Sequence, residues 1–325
     1  MDGILTLAAE NLISPLILSF ALGLFAALAR SDLSVPEAAA KTLSIYLLFA
    51  IGFKGGVSLA RHGADATLVL ALIAGVALSF ALPLVAFALL RAMTRLPLVD
   101  AAAVAAHYGS ISIVTFVAAT SVLASRGIAS EGYMVAVAAA MEAPAILAAL
   151  WLVARGGGAR QMDRELWREI LLNGSIVLLV GAFLIGLATG EDGFRRISSF
   201  IDAPFQGVLA LFLLDMGLVA GRGLRNSSGK LGLGILGFGL LMPLIGALAG
   251  LGTGLLLGLS PGGVMLLMTL AASASYIAVP AAMRVALPEA DPAIYLTLSL
   301  GITFPFNLIL GLPIYLAVAQ AATGG

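Results

Sequence analysis

The sequence predicts an all-α membrane protein whose ten transmembrane helices form two inverted five-helix repeats, with the fourth and ninth helices broken. Three observations lead there: 61% hydrophobic against 10% charged residues in 325 positions, long unbroken apolar runs, and a polar motif that returns at the matching place in the second half. A chain of mean hydropathy +1.10 cannot wrap a soluble core in a polar surface. Its runs are continuous rather than short and alternating, which excludes the strands of a membrane barrel. There is no Cys, hence no disulfide framework and no thiolate chemistry. The formal net charge of zero gives no attraction to nucleic acid.

A span needs about 20 apolar residues to cross the hydrocarbon core. Pro, Gly and charged residues divide the chain into ten such stretches. The first, 11–29, ends at Arg30; its lead, M-D-G-I-L-T-L-A-A-E-N, holds Asp2 and Glu10 but no Lys or Arg, so it lacks the basic start of a signal peptide and reads as a retained helix. The second, 37–60, lies between Pro36 and Arg61, the third, 66–92, between Asp65 and the Arg91 to Arg95 cluster, and the fourth, 98–124, between Pro97 and Arg126. The fifth, 131–154, closes at Arg155, where R-G-G-G-A-R-Q-M-D-R-E-L-W-R-E forms the largest polar connection. After it come 170–190, 204–221, 231–258, 262–286 and 292–320. The predicted division is therefore a first repeat over 1–155, a linker over 156–169 and a second repeat over 170–325.

Lys and Arg near the helix ends set the orientation. Twelve of the 17, among them Arg91, Arg155, Arg168 and Arg225, collect on one side, four (Arg61, Arg126, Arg195, Arg196) on the other, and Lys54 lies inside a span. The richer side is expected to be cytoplasmic, which puts both termini outside a bacterial inner membrane and the linker inside.

The halves resemble each other. Gly52 and Gly56 match Gly217 and Gly221 at one constant offset, V-A-A-H-Y-G-S-I-S matches L-A-A-S-A-S-Y-I-A, and E-A-P at 142–144 matches T-F-P at 303–305. Five spans per half is an odd number, so the second copy enters the membrane upside down. Inverted repeats with polar or broken helices at matching positions are the architecture of secondary transporters.

The chemistry gathers in H-Y-G-S-I-S-I-V-T at 107–115 and S-A-S-Y-I-A-V-P at 273–280. Gly109 weakens helix propagation and Pro280 removes a backbone donor, so both helices should be interrupted. Two half-helix N-termini, each carrying about half a positive charge, would hold a small anion without Arg or Lys. Ser110, Ser112, Ser273, Ser275 and the Tyr276 hydroxyl add donors, and freed carbonyls and Thr115 could coordinate a cation. The plainer reading is that Ser, Thr and Gly allow close helix packing.

Glu142 lies inside the fifth span, where a carboxylate costs about 2.5 to 3.5 kcal/mol on insertion scales, so it should face a cavity, a cation or a partner. Sodium suits a carboxylate flanked by hydroxyls and carbonyls, and protonation is the other way to relieve it. Its repeat mate Thr303 and nearby Asn307 are further oxygen donors, the other reading of Asn307 being a bond to a neighbouring helix. Lys54 and Asp215 stand about one turn apart in register on matching spans and are expected to form an ion pair between the repeats; the other reading is that either lines the translocation path. His107 beside the break reads as a packed hydrogen-bonder. No H-E-x-x-H, G-x-S-x-G or P-loop occurs, so an intramembrane enzyme has little support.

At these motifs the chain resembles the sodium-dependent bicarbonate transporter family of cyanobacterial inorganic-carbon permeases. The matching pieces are D-A-A-A at 100–103 leading into Gly109, Ser112 and Thr115, then M-E-A-P-A at 141–145, A-A-S-A-S-Y-I-A-V-P, and R-V-A-L-P-E-A-D-P-A-I-Y at 284–295. The resemblance implies a homotrimer with bicarbonate held where the fourth and ninth helices meet and sodium, the coupling ion, alongside, no other cofactor being expected. It implies anion contacts from Gly109, Ser110, Ile111 and Ser112 in one repeat and Ser273, Ala274, Ser275 and Tyr276 in the other. Sodium contacts would come from Glu142, where cyanobacterial members have Asp, with Thr115, Thr303 and Asn307. Tyr276 departs from the family by replacing an acidic residue, and Ile113 and Val114 by replacing small polar ones. The short linker gives no ground for the nucleotide-sensing partner of the cyanobacterial members. The expected function is sodium-coupled bicarbonate symport by alternating access; a sodium- or proton-coupled carrier of another small anion and a non-transporting membrane receptor or scaffold are the other readings.

Overall fold

The computed structural model describes residues 13–63, 66–155, 164, 168, 172, 174–226 and 232–324, and every regular element among them is helical. The expected first residues 1–12, the linker apart from Arg164 and Arg168, and Lys230 lie outside the described residues. Among the described residues, eight helical runs are long and apolar enough to cross a membrane, and two shorter apolar helices, Pro15–Leu28 and Pro261–Ala272, accompany them. The protein is a multi-pass membrane protein.

α1 (Pro15–Leu28) starts where the Ser14 hydroxyl accepts from the Ile17 amide and Pro15 presets the first turn. α2 (Glu37–His62) begins after Pro36 with an acidic residue in its first turn and stops at Gly63, whose φ of +79° ends a helix at little steric cost. α3 (Ala66–Met93) runs through Pro83. The fourth span is α4 (Leu98–Gly109) and α5 (Ile113–Ser125), broken as expected. The fifth is also broken, into α6 (Met134–Ala140) and α7 (Ala143–Arg155), with Glu142 at the break rather than inside a helix. Pro144, in the first turn of α7, has no N–H to return to the Ala140 carbonyl and suits the start of a helix, and is the signal that locates this break.

α8 (Gly174–Ile201) is interrupted at Gly190, whose backbone is not helical (φ 55°, ψ −146°), so the sixth span ends at the expected 190 and a further helical stretch beyond it carries Arg195 and Arg196, where a loop is expected. α9 (Phe205–Asn226), α10 (Leu233–Leu256), α11 (Pro261–Ala272) and α12 (Ala278–Ala286) follow, α11 and α12 being the halves of the broken ninth span. The last run, α13 (Pro292–Thr323), contains two π-helical stretches, Thr297–Thr303 and Asn307–Gly311. Such widenings recur at functional sites, and the first ends on Thr303, the repeat mate of Glu142.

Two packing groups result. α2 lies along α8 and α1 along α9, in contacts so close that a Cβ on Gly56 would collide with the Phe183 carbonyl and one on Gly186 with the Phe53 carbonyl. The α1–α9 seam repeats this reciprocity, Gly23 against the Leu214 carbonyl and Gly217 against that of Phe20. In membranes, where lipid tails are as apolar as Leu, such small-residue seams are what lets helices associate. The second group packs α3 on α4 and α7, α10 on α11, and α11 on the end of α13. Its centre is the Ala101 to Ala106 run of α4, wholly buried. A helix apolar all round belongs inside the protein, and the side chains facing lipid come instead from helices such as α3 and α8, through Val69, Ile73, Leu184 and Ile185.

Candidate functional site

The two broken helices meet at their breaks. Ser110 leaves α4 with extended backbone (φ −86°, ψ 166°) and Ser273 leaves α11 in nearly the same conformation (φ −86°, ψ 164°). Each extended stretch then serves the other: the Ser112 amide donates to Ser273 Oγ at 2.8 Å, and the Ser275 amide donates to the His107 carbonyl at 2.8 Å. Ser273 Oγ passes its own hydrogen to the Leu270 carbonyl at 2.9 Å, so it both accepts and donates at the junction.

Beyond the breaks the helices restart. Ser112 caps α5, its hydroxyl accepting from the Thr115 amide at 3.3 Å and the Thr115 hydroxyl at 2.9 Å. The starts of α5 (Ile113) and α12 (Ile277, Ala278) border one small pocket, together with Ser112, Ser275, Tyr276 and Glu142. Ile111 and Ser175 complete it. Two helix N-termini facing one space put orphan amides and positive dipole ends around it. The space open to the centre of a water-sized group is ≈ 10 Å³, room for about one water, so a polyatomic anion requires the walls to part slightly.

Glu142 is 5% exposed and accepts from the Ser110 hydroxyl at 3.1 Å. No Lys or Arg lies within ion-pair distance of it among the described residues. Its break is supported by Ser79 Oγ, which donates to the neighbouring Met141 carbonyl at 2.5 Å. Tyr276 packs edge-on against Phe304, with ring centroids 5.5 Å apart. Its hydroxyl lies beside Ser112 yet forms no well-directed hydrogen bond and is shielded from solvent. Leaving such a group unpaired has a cost, so a native structure that keeps one invites a ligand.

The other expected residues are placed as follows. Gly109 meets α3, where a Cβ would collide with the ring of Pro83; Ile111 and Ala274 are buried in the extended stretches. Thr303 and Asn307 do not border the pocket. Tyr108 and Thr303 share a hydrogen bond of 2.5 Å, Thr303 also donates to the Gly239 carbonyl at 2.7 Å, and Asn307 donates to the Ala272 carbonyl at 2.9 Å while accepting from Tyr315 at 2.7 Å. These bonds tie the π-helical stretches of α13 to α4, α10 and α11. Thr115 likewise turns its hydroxyl to Ser112 rather than to the pocket. His107 is packed as expected, Nδ1 2.6 Å from the Ala103 carbonyl and the ring stacked on Tyr295 at 4.4 Å, although Nε2 has no partner.

The expected Lys54–Asp215 pair does not form. Lys54 Nζ lies 2.8 Å from Asp202 Oδ1, with the ammonium 4.5 Å from the centre of the Phe205 ring. α2 runs along α8, which carries Lys54 to the turn between α8 and α9 where Asp202 sits, away from Asp215. Asp215, 5% exposed, has Arg222 on its own helix as an opposing charge. Register in the repeat placed the two residues on corresponding helices, but helix pairing decides which side chains meet. Sequence reasoning missed Asp202, Tyr108, Ser79 and Tyr315; only the aromatic and polar residues interrupting apolar runs hinted at the last three.

A family model described as the Na+-dependent bicarbonate transporter superfamily matches residues 15–320. No curated protein matches the chain.

Proposed function

We propose that this chain, which belongs to the Na+-dependent bicarbonate transporter superfamily, carries bicarbonate inward together with Na+ by alternating access, the anion held between the N-termini of α5 and α12. The protein is a carrier and not an enzyme. The observation that carries the reading is the mutual hydrogen bonding of the two breaks, Ser112 to Ser273 and Ser275 to His107, which fixes both helix restarts around one pocket that also contains Glu142. Amides from Ile113, Val114 and Ala278 and the hydroxyls of Ser112, Ser275 and Tyr276 would receive the anion. Glu142, with no protein cation beside it among the described residues, would receive the coupling ion, and anion and cation bound together neutralise each other in a water-poor site.

A division into inverted repeats is supported by the reciprocal seams, α1 on α9 and α2 on α8, and by the like backbone at Ser110 and Ser273. Motion is supported by the separation into two packing groups: α1, α2, α8 and α9 form a scaffold, and the group bearing α4, α5, α11 and α12 would move against it. Charge asymmetry supports outside termini, and the family resemblance supports a trimer. Influx of a cation is helped by about 2.3 kcal/mol per elementary charge per 100 mV of membrane potential.

Labelled bicarbonate uptake into proteoliposomes, with and without an inward Na+ gradient, tests the reading. Uptake that needs Na+ supports it; uptake driven equally by a proton gradient without Na+ would move Glu142 to proton coupling, and no uptake under either gradient would refute anion transport.

A further inference from the structure

A second space, a cavity of ≈ 430 Å³, lies on the seam between the two packing groups, walled by α2 and α9 on one side and by α5 and α6 on the other. Among the described residues, Lys54 is the only basic one bordering it. The other charged residues there are Asp202 and Glu131, and both oxygens of Glu131 are engaged, by the Ser260 amide at 2.7 Å and the Ser260 hydroxyl at 3.1 Å. Lys54 therefore has one competitor for an anion, Asp202. That pair is accessible to water, with side chains 33% and 57% exposed, and exposed pairs in water hold together weakly. The ring of Phe205 beneath the ammonium keeps it in the cavity when Asp202 lets go.

The floor is apolar. Phe116 and Leu266, both 1% exposed, and Met134 close the cavity on the side of the breaks. Phe116 is one turn along α5 from Ser112, its amide bonded to the Ser112 carbonyl at 3.0 Å, so one residue of this floor stands a helical turn from the capped start of α5. Across the seam, Gln206 Nε2 on α9 donates to Ser121 Oγ on α5 at 2.7 Å, a bond that sliding of one group past the other would break.

We infer that this cavity is the access vestibule for the carried anion and that Lys54, exchanging Asp202 for the incoming small oxyanion, is its docking group before the apolar floor opens. The inference rests on the anion-carrier reading above and adds a site outside the pocket where the two breaks meet. Lys54 focuses the local field and raises the rate of encounter, an effect that salt screens.

The test is opposite-signed. Initial rates of labelled bicarbonate transport are measured in proteoliposomes, in both directions, against bicarbonate concentration and at low and high ionic strength, for wild type, Lys54→Gln, Asp202→Asn and the double variant. Lys54→Gln is expected to raise KM about tenfold with kcat nearly unchanged, in one direction of transport, and to lose the salt dependence. Asp202→Asn is expected to lower KM, because it frees the ammonium. The double variant should behave as Lys54→Gln does. If the two single variants shift KM in the same direction, or the double variant restores wild-type behaviour, Lys54 and Asp202 are a structural pair and the inference fails. Wild type that carries no bicarbonate would instead remove the anion-carrier reading on which it stands.

Discussion

The Ser112 amide donates to the Ser273 hydroxyl at 2.8 Å across a sequence separation of 161 residues, joining the two broken helices at the point where both restart. Because Ser273 is fully buried, no water replaces its oxygen when it is removed. Ser273→Ala should therefore leave the Ser112 amide unpaired and destabilise the protein by about 1–3 kcal/mol. Thermal melting in detergent checks this, and an unchanged melting temperature contradicts it. Bicarbonate should stabilise the variant less than it stabilises wild type, since the start of α5 is no longer held in place.

Glu142→Gln removes the charge but keeps an oxygen for the Ser110 hydroxyl, which donates to Glu142 at 3.1 Å. Folding should survive, because burying a neutral amide costs less than burying an unpaired carboxylate. Na+ stimulation of uptake should disappear. Sodium-stimulated uptake persisting at the wild-type level in this variant would remove Glu142 from the coupling site.

Much of this arrangement is readable from the sequence, and what is not readable has a physical cause. The breaks in the fourth and ninth spans follow from Gly109, Pro280 and clustered serines, since local backbone preference and polar content act within a few residues. Their meeting is suggested by the repeat alone. The third break, at Glu142, is not legible because an apolar Ala-rich run masks the effect of Pro144. The partner of Lys54 is not legible because partner choice depends on which helices lie side by side, and α2 pairs with α8. Thr303 and Asn307 carry the residue types of cation ligands, yet spend their hydrogen bonds on Tyr108, Gly239, Ala272 and Tyr315. Composition identifies oxygen donors without telling which neighbours will claim them.

Tyr276 separates stability from function. Its hydroxyl is buried without a well-formed partner, so Tyr276→Phe should leave stability unchanged or raise it by about 1 kcal/mol. The same change should raise the KM for bicarbonate, because the hydroxyl borders the pocket beside Ser112. Melting curves and uptake kinetics on one preparation measure both. A fall in stability together with an unchanged KM would show that the phenol is a packing residue and takes no part in binding.

Two carboxylates clamp opposite ends of the group that bears the broken helices. Glu131, in the loop between α5 and α6, accepts from the Ser260 amide at 2.7 Å at the start of α11, where its side chain lies so close to Gly263 that a Cβ there would collide with it. Asp100, in the first turn of α4, accepts from the Asp291 amide at 2.8 Å, just before α13. If this group moves as a rigid body, both clamps stay closed throughout the cycle, whereas the Gln206–Ser121 bond across the seam opens in each turnover. Glu131→Gln and Asp100→Asn should then each lower stability, by about 1–2 kcal/mol for a part-buried charged acceptor, while turnover per folded molecule stays within about twofold. Gln206→Ala should do the reverse, leaving the melting temperature nearly unchanged and altering the maximal rate. Melting temperature and maximal uptake rate, compared across the three variants, distinguish the cases. If loss of a clamp slows turnover more than loss of Gln206, the group deforms internally as it moves, and the rigid-body mechanism is wrong.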